Sequence, residues 1–122
     1  MDAGEAWHWS IRAKEAPDRL IGVISLMLGG EENRGFWLDP EYWGRGLIRE
    51  ASDAVTDYWF DILDQPVLRV PKAVDNAASR AISVGSGMRV IWRGEKQYVE
   101  GLLPSELWEI SSAEWRARRR AA

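Results

Sequence analysis

From Ala6 to Arg12 the chain alternates bulky and polar residues (Ala-Trp-His-Trp-Ser-Ile-Arg), the period of a strand with one buried face. Glu15-Ala16-Pro17-Asp18 then reads as a turn. Leu20 to Leu28 is apolar except at Gly22 and Ser25, which predicts a central strand, and Gly29-Gly30-Glu31-Glu32-Asn33 forms the next loop. Phe36-Trp37-Leu38 predicts a short strand stopped by Asp39-Pro40, because proline lacks the N–H that a ladder needs. At Leu47 the period turns helical and holds to Leu63. Ile48, Ala51, Val55, Tyr58, Trp59 and Ile62 form one stripe, while Arg49, Asp53, Thr56, Asp57 and Asp64 take the other face. Phe60 lies off the stripe, which implies a helix covered on more than one side.

The second half repeats this grammar in shorter pieces. Val67 to Val70 predicts a strand closed by Pro71. Ala77 to Val84 predicts a short helix with Asn76 near its N-cap and Gly85-Ser86-Gly87 at its end. Met88–Trp92 and Leu107–Ile110 read as two more strands, around a turn at Gly94 and a loop over Gly101–Pro104. The arginine-rich tail, residues 115–122, reads as solvated. The order predicts an α+β fold whose first helix is a parallel crossover, joining Phe36–Leu38 to Val67–Val70.

Composition narrows the chemistry. A chain of 122 residues fits one domain, with 46% hydrophobic and 29% charged residues and enough length for its own core. The 8 Trp outnumber Phe and Tyr together, and most are expected in the core or in cleft walls. The absence of Cys removes thiol nucleophiles, disulfides and thiolate metal sites, and His8, the lone histidine, cannot build a multi-histidine centre. No metal is expected, so chemistry must run on carboxylates, hydroxyls, backbone dipoles or a bound cofactor. A net charge of −3 does not favour nucleic acid as a partner. No apolar run approaches the ~20 residues of a membrane span and no signal-peptide core opens the chain. The expectation is a cytoplasmic protein with no membrane partner.

One loop carries a chemical signal of its own. Trp43-Gly44-Arg45-Gly46-Leu47 lies between a strand end and the long helix. Its glycines let backbone N–H groups approach an anion, the helix N-terminus adds partial positive charge, and Arg45 and Arg49 add full charges. The pattern alone is equally that of an ordinary glycine-rich turn. It is neither a Walker loop nor a full dinucleotide fingerprint, since no Gly-Lys-Ser/Thr follows and Arg49 stands where a third Gly belongs.

The wider stretch from Gly35 to Ala51 resembles the coenzyme A motif of GNAT acetyltransferases of the RimJ/RimL-like branch. Asn76-Ala77-Ala78-Ser79-Arg80 with Gly87-Met88-Arg89 is similar to that branch's Asn-x-x-Ser helix and closing glycine, and Leu107–Ile110 with Trp115 to its last strand and C-terminal Trp. Glu41 stands where the branch often has Gln or Arg, and Met88 where it has an aromatic. The resemblance implies a mixed, mostly antiparallel sheet with splayed central strands. It also implies a first strand and two helices, walling the acceptor site, which the few residues before Ala6 cannot supply.

On this resemblance the reaction is direct transfer of acetyl from acetyl-CoA to a small-molecule or peptide amine. The backbone of Trp43–Leu47, with Arg45 and Arg49, would anchor the cofactor, and an N–H at Trp37 or Leu38 would meet the developing oxyanion. Asn76 corresponds to a residue that bonds the pantetheine arm or the incoming groups, and is a candidate for catalysis as well as for cofactor binding. Ser79 corresponds to a Ser near the sulfur and is the candidate acid, because the Tyr that many members use is Ser83 here. For the base, Glu31, Glu32, His8 and a bound water all stay open. Alternatives to an active enzyme are a coenzyme-binding or scaffold domain without an acceptor wall and a simple nucleotide binder. An apolar Leu20–Leu28 strand left as an edge would favour self-association, unless Ala6–Arg12 folds back on it.

Overall fold

The computed structural model describes residues 5–121. Strands β1 (Ala6–Ala13), β2 (Ala16–Met27) and β3 (Arg34–Leu38) form one antiparallel sheet in that order. A single 3-10 turn (Pro40–Tyr42) leads to helix α1 (Leu47–Asp61), then strand β4 (Val67–Ala73) and helix α2 (Ala77–Gly85). Strands β5 (Arg89–Tyr98) and β6 (Gly101–Ser111) follow, and helix α3 (Ser112–Ala121) closes the described chain. The second sheet has the order β4-β6-β5 and is also antiparallel.

The apolar strand is central as expected, because β1 pairs along its length on one side and β3 on the other. Ala6–Arg12 is therefore the segment that closes this sheet. Gly22 is required by close approach: a Cβ there would lie 2.4 Å from the carbonyl oxygen of Trp37. The expected turn is tighter than Glu15–Asp18, since β2 already begins at Ala16.

The predicted crossover is present, but it makes no parallel ladder. β3 and β4 touch at one end, where Asn33 donates its N–H to the Arg69 carbonyl (2.9 Å) and accepts the Arg69 N–H on its Oδ1 (2.9 Å). Beyond that clamp they belong to different sheets, and both line the cleft between them.

Several boundaries differ from the pattern for identifiable reasons. Pro71 sits inside β4 rather than ending it, because β4 pairs only with β6 and an edge strand tolerates a missing donor. β5 and β6 run far longer than expected, so Gly94 and Pro104 lie within strands. The Trp92 ring covers Gly94, where a Cβ would come within 2.3 Å of it. Pro104 lies just beyond the last β4–β6 pair, Ala73–Ser105, and gives its carbonyl to Val74 N–H (2.9 Å).

The main core joins Ile24 and Leu26 of β2, Val55, Trp59 and Phe60 of α1, Leu68 and Val70 of β4, and Trp108 and Ile110 of β6. Ile62, assigned to the buried stripe, is the C-cap of α1 and 65% exposed. Thr56, assigned to the polar face, is fully buried because its hydroxyl receives Arg34 Nη1 (2.9 Å). Phe60 is fully buried too, covered by Trp115 with ring centroids 6.5 Å apart. The arginine-rich tail is exposed as expected from Arg116 to Ala121, but it is helical rather than loose: it belongs to α3, which buries Trp115 in the core.

Candidate functional site

A cleft of about 590 Å³ opens where β3 and β4 diverge, bounded by the glycine loop and α1 at one end and by α2 at the other. Trp37, Leu38, Trp43, Gly44, Gly46, Leu47, Arg49, Asn76 and Ser79 all line it, so nearly every sequence-derived site residue is brought to one place. Arg45 is the exception and points away. Its guanidinium packs on the Tyr42 ring (4.7 Å to the centroid) and bonds the Glu41 carbonyl (3.3 Å).

The loop has the geometry of an anion cradle. Gly44 and Gly46 hold φ of 78° and 77°, which L side chains rarely adopt, and a Cβ at either would meet nothing within 4 Å. Gly46 is the N-cap of α1 and offers no side-chain cap. Among the described residues, the backbone N–H groups from Gly44 to Arg49 have no hydrogen-bond partner, whereas Glu50 N–H already closes onto Gly46 (3.0 Å). Unpaired donors at a helix start favour negative charge. Glu41, whose role the sequence left open, turns its carboxylate to Arg19 (2.9 Å), which also holds Asp39 (3.2 Å). Trp43 stands 64% exposed and donates Nε1–H to the Leu38 carbonyl (2.9 Å), pinning the loop to the end of β3.

The register of β3 orients its amides. Asn33 accepts from Met27 and Asp39 donates to Ile21, so the alternation between them pairs Gly35 and Trp37 with β2. The N–H groups of Phe36 and Leu38 are thereby directed at the gap. Of the two oxyanion candidates, Leu38 has the amide facing the cleft, while Trp37 offers an indole that is 55% exposed.

On the opposite wall, Asn76 caps α2 by accepting the Ser79 N–H on Oδ1 (3.1 Å). Ser79 is half-buried, and its hydroxyl makes no hydrogen bond to the described residues. Glu32 lines the cleft, Glu31 does not, and His8 is engaged on β1 with Ser25 Oγ (2.6 Å).

A family model described as "Acetyltransferase (GNAT) domain" matches residues 1–89, about three quarters of the sequence. The chain belongs to the GNAT acetyltransferase family. Solved acetyltransferase structures share its fold at low identity. A mutant of spermidine N-acetyltransferase SpeG from Vibrio cholerae is 18% identical with a TM-score of 0.78, covering 93% of this chain and 70% of that one. Ribosomal-protein-S5-alanine acetyltransferase from Vibrio fischeri is 19% identical with a TM-score of 0.76, covering 90% and 63%. No curated protein matches by sequence. The chain is thus an acyltransferase with a mixed α+β GNAT fold.

Three buried charges in this GNAT domain escaped the sequence reading. Arg34 bonds Thr56, Ser86 Oγ (3.5 Å) and Met88 Sδ (3.6 Å), and burial lowers its pKa to about 10. Glu106 is buried beneath Arg80 (3.0 Å), Arg93 (3.3 Å) and the Trp108 indole N–H (3.2 Å); burial opposes ionisation, but these donors hold its pKa below the ordinary value. Lys72 lines the cleft itself. The strand pattern held a signal for it: Leu68, Val70 and Lys72 alternate along β4, and all three are buried.

Proposed function

We propose that this GNAT domain transfers the acetyl group of acetyl-CoA directly to an amine, on a small molecule or a peptide, in the manner of the RimJ/RimL-like branch. The observation that carries this reading is the cleft between diverging strands that ends at a ring of unpaired N–H groups, a fit for a long cofactor with a pyrophosphate at one end. Trp43–Leu47 would hold the pyrophosphate through the backbone, with Arg49 at the cleft wall. Acetyl-CoA supplies the activated thioester. Leu38 N–H would stabilise the oxyanion, Asn76 would bond the pantetheine arm through its free amide N–H, and the Ser79 hydroxyl would donate to the departing sulfur.

Coenzyme A and acetyl-CoA are expected to raise the melting temperature, because ligand at a hundred times its Kd stabilises by about 2.7 kcal/mol. Mass spectrometry on a panel of peptide, polyamine and small amines should then show a gain of one acetyl group. Binding without transfer to any amine would reduce the chain to a coenzyme-binding domain, and unchanged melting at millimolar coenzyme would end the reading altogether. Ser79→Ala should lower kcat roughly tenfold at unchanged coenzyme affinity, the mark of an interaction made in the transition state. Equal turnover by the variant would leave Ser79 as a packing residue of α2.

A further inference from the structure

Lys72 continues the inward row of an apolar strand into the cleft wall, and it is only 4% exposed. Its Nζ donates to the Ser79 carbonyl (2.9 Å) and to the Ser83 hydroxyl, which is itself fully buried. Two acceptors are what a neutral amine needs; an ammonium brings a third N–H. The other ionisable side chains along the cleft are placed differently: Arg34 is held by Thr56, Ser86 and Met88, Arg49 pairs with Asp53 (3.5 Å), Tyr42 lies under the guanidinium groups of Arg19 and Arg45, and Glu32 is exposed.

We infer that Lys72 is the proton-exchanging residue of the transfer site. The inference rests on the acetyl-transfer reading above. As the acceptor nitrogen attacks the acetyl carbon, a C–N bond forms, the C–S bond breaks, the nitrogen must lose a proton and the thiolate must gain one. Lys72 as the amine accepts the first proton and as the ammonium supplies the second, so it ends as it began, while the Ser79 hydroxyl hydrogen-bonds the departing sulfur and keeps its own proton. An acceptor that arrives as an ammonium first loses one further proton to solvent.

The surroundings support this cycle. Burial and the nearby charges of Arg34 on β3 and Arg80 on α2 lower the Lys72 pKa to about 7, against a raising influence from Glu106 on β6. Glu106 is itself committed to Arg80 and to Arg93 of β5. The Trp108 ring lies 5.5 Å from Nζ and gives the ammonium form some compensation. Both protonation states are therefore accessible near neutrality, as proton exchange requires.

The chain has only three lysines, Lys14, Lys72 and Lys96, so 13Cε NMR can follow each one through a pH titration. Lys72, assigned by loss of its signal in Lys72→Met, should titrate near pH 7 rather than near the ordinary 10.5. Because the unfolded lysine keeps its proton up to the higher value, burial of the ammonium opposes folding at and below about pH 7. Wild-type stability should therefore gain on that of Lys72→Met as pH rises from about 7 to 10.5. In turnover, wild-type kcat should climb through pH 7 to a plateau. Lys72→Met should lose that inflection and about a hundredfold in kcat while binding acetyl-CoA within about twofold of wild type.

A Lys72 that titrates above pH 10, or a Lys72→Met enzyme that keeps the inflection, overturns the inference and leaves acetyl transfer standing. A wild type that transfers to no amine removes both. Where Lys72→Met does not fold, Lys14→Arg and Lys96→Arg, both at exposed positions, assign the remaining wild-type signal to Lys72 by elimination, and a titration above pH 10 still overturns the inference.

Discussion

Gly46→Val is expected to weaken acetyl-CoA binding by about a hundredfold or more, equivalent to about 2.7 kcal/mol, while the chain still folds. The two costs arise in different places. In the protein alone a Cβ at this position meets no atom within 4 Å, so the fold pays no steric penalty. It does bear the strain of a β-branched residue at φ 77°, on the order of 1–3 kcal/mol. Binding is affected more directly, because the side chain would fill the space in front of the unpaired N–H groups of Gly44–Arg49. Calorimetry with acetyl-CoA, alongside thermal melts without it, separates the two. A variant that binds as tightly as wild type would show that the pyrophosphate does not rest on this loop.

That loop was legible because its signal is local: two glycines before a helical period permit the positive φ that Gly44 and Gly46 adopt on entering α1. The Asn76 cap was legible for the same reason, as an Asn three residues before Ser79 suits an N-cap bond within one turn. What the pattern missed depends on partners distant in sequence. Thr56 and Ser86 look like surface residues until Arg34 is buried between them and needs acceptors. Pro71, Gly94 and Pro104 look like strand breakers until the sheet order shows which of their edges need no ladder donor and which ring covers the glycine. Lys72 breaks an apolar row only where Ser79 and Ser83 of α2 arrive to receive it.

The arginine-rich end shows the same dependence at its largest. Composition made it a solvated tail, and Arg116–Ala121 are exposed, but as a docked helix: Arg119 pairs with Asp57 (3.1 Å) and Arg116 with Asp61 (3.6 Å) and with the Phe60 carbonyl (3.2 Å), all on α1. Arg118 bonds the Gly85 carbonyl at the end of α2. These pairs are exposed or half-exposed, and such pairs contribute little individually, so they orient α3 rather than hold it. The holding is done by Trp115, which fills the core against Phe60 and donates its indole N–H to Asp57 (2.8 Å).

Trp115→Ala should consequently destabilise the chain by about 3–5 kcal/mol, a large share of the roughly 5–15 kcal/mol available to a domain. At this chain length that corresponds to a melting temperature lower by about 10–20 °C. Trp115→Phe should recover part of the loss, since a ring restores contact with Phe60 but cannot bond Asp57. Because no residue of α3 lines the cleft, coenzyme affinity of the alanine variant, measured well below its melting point, should stay close to wild type. Urea melts of the three proteins provide the test. An alanine variant within about 1 kcal/mol of wild type would mean that α3 does not dock on α1 in solution. A stable fold with lost coenzyme binding would mean that the helix reaches the site by a route other than the core.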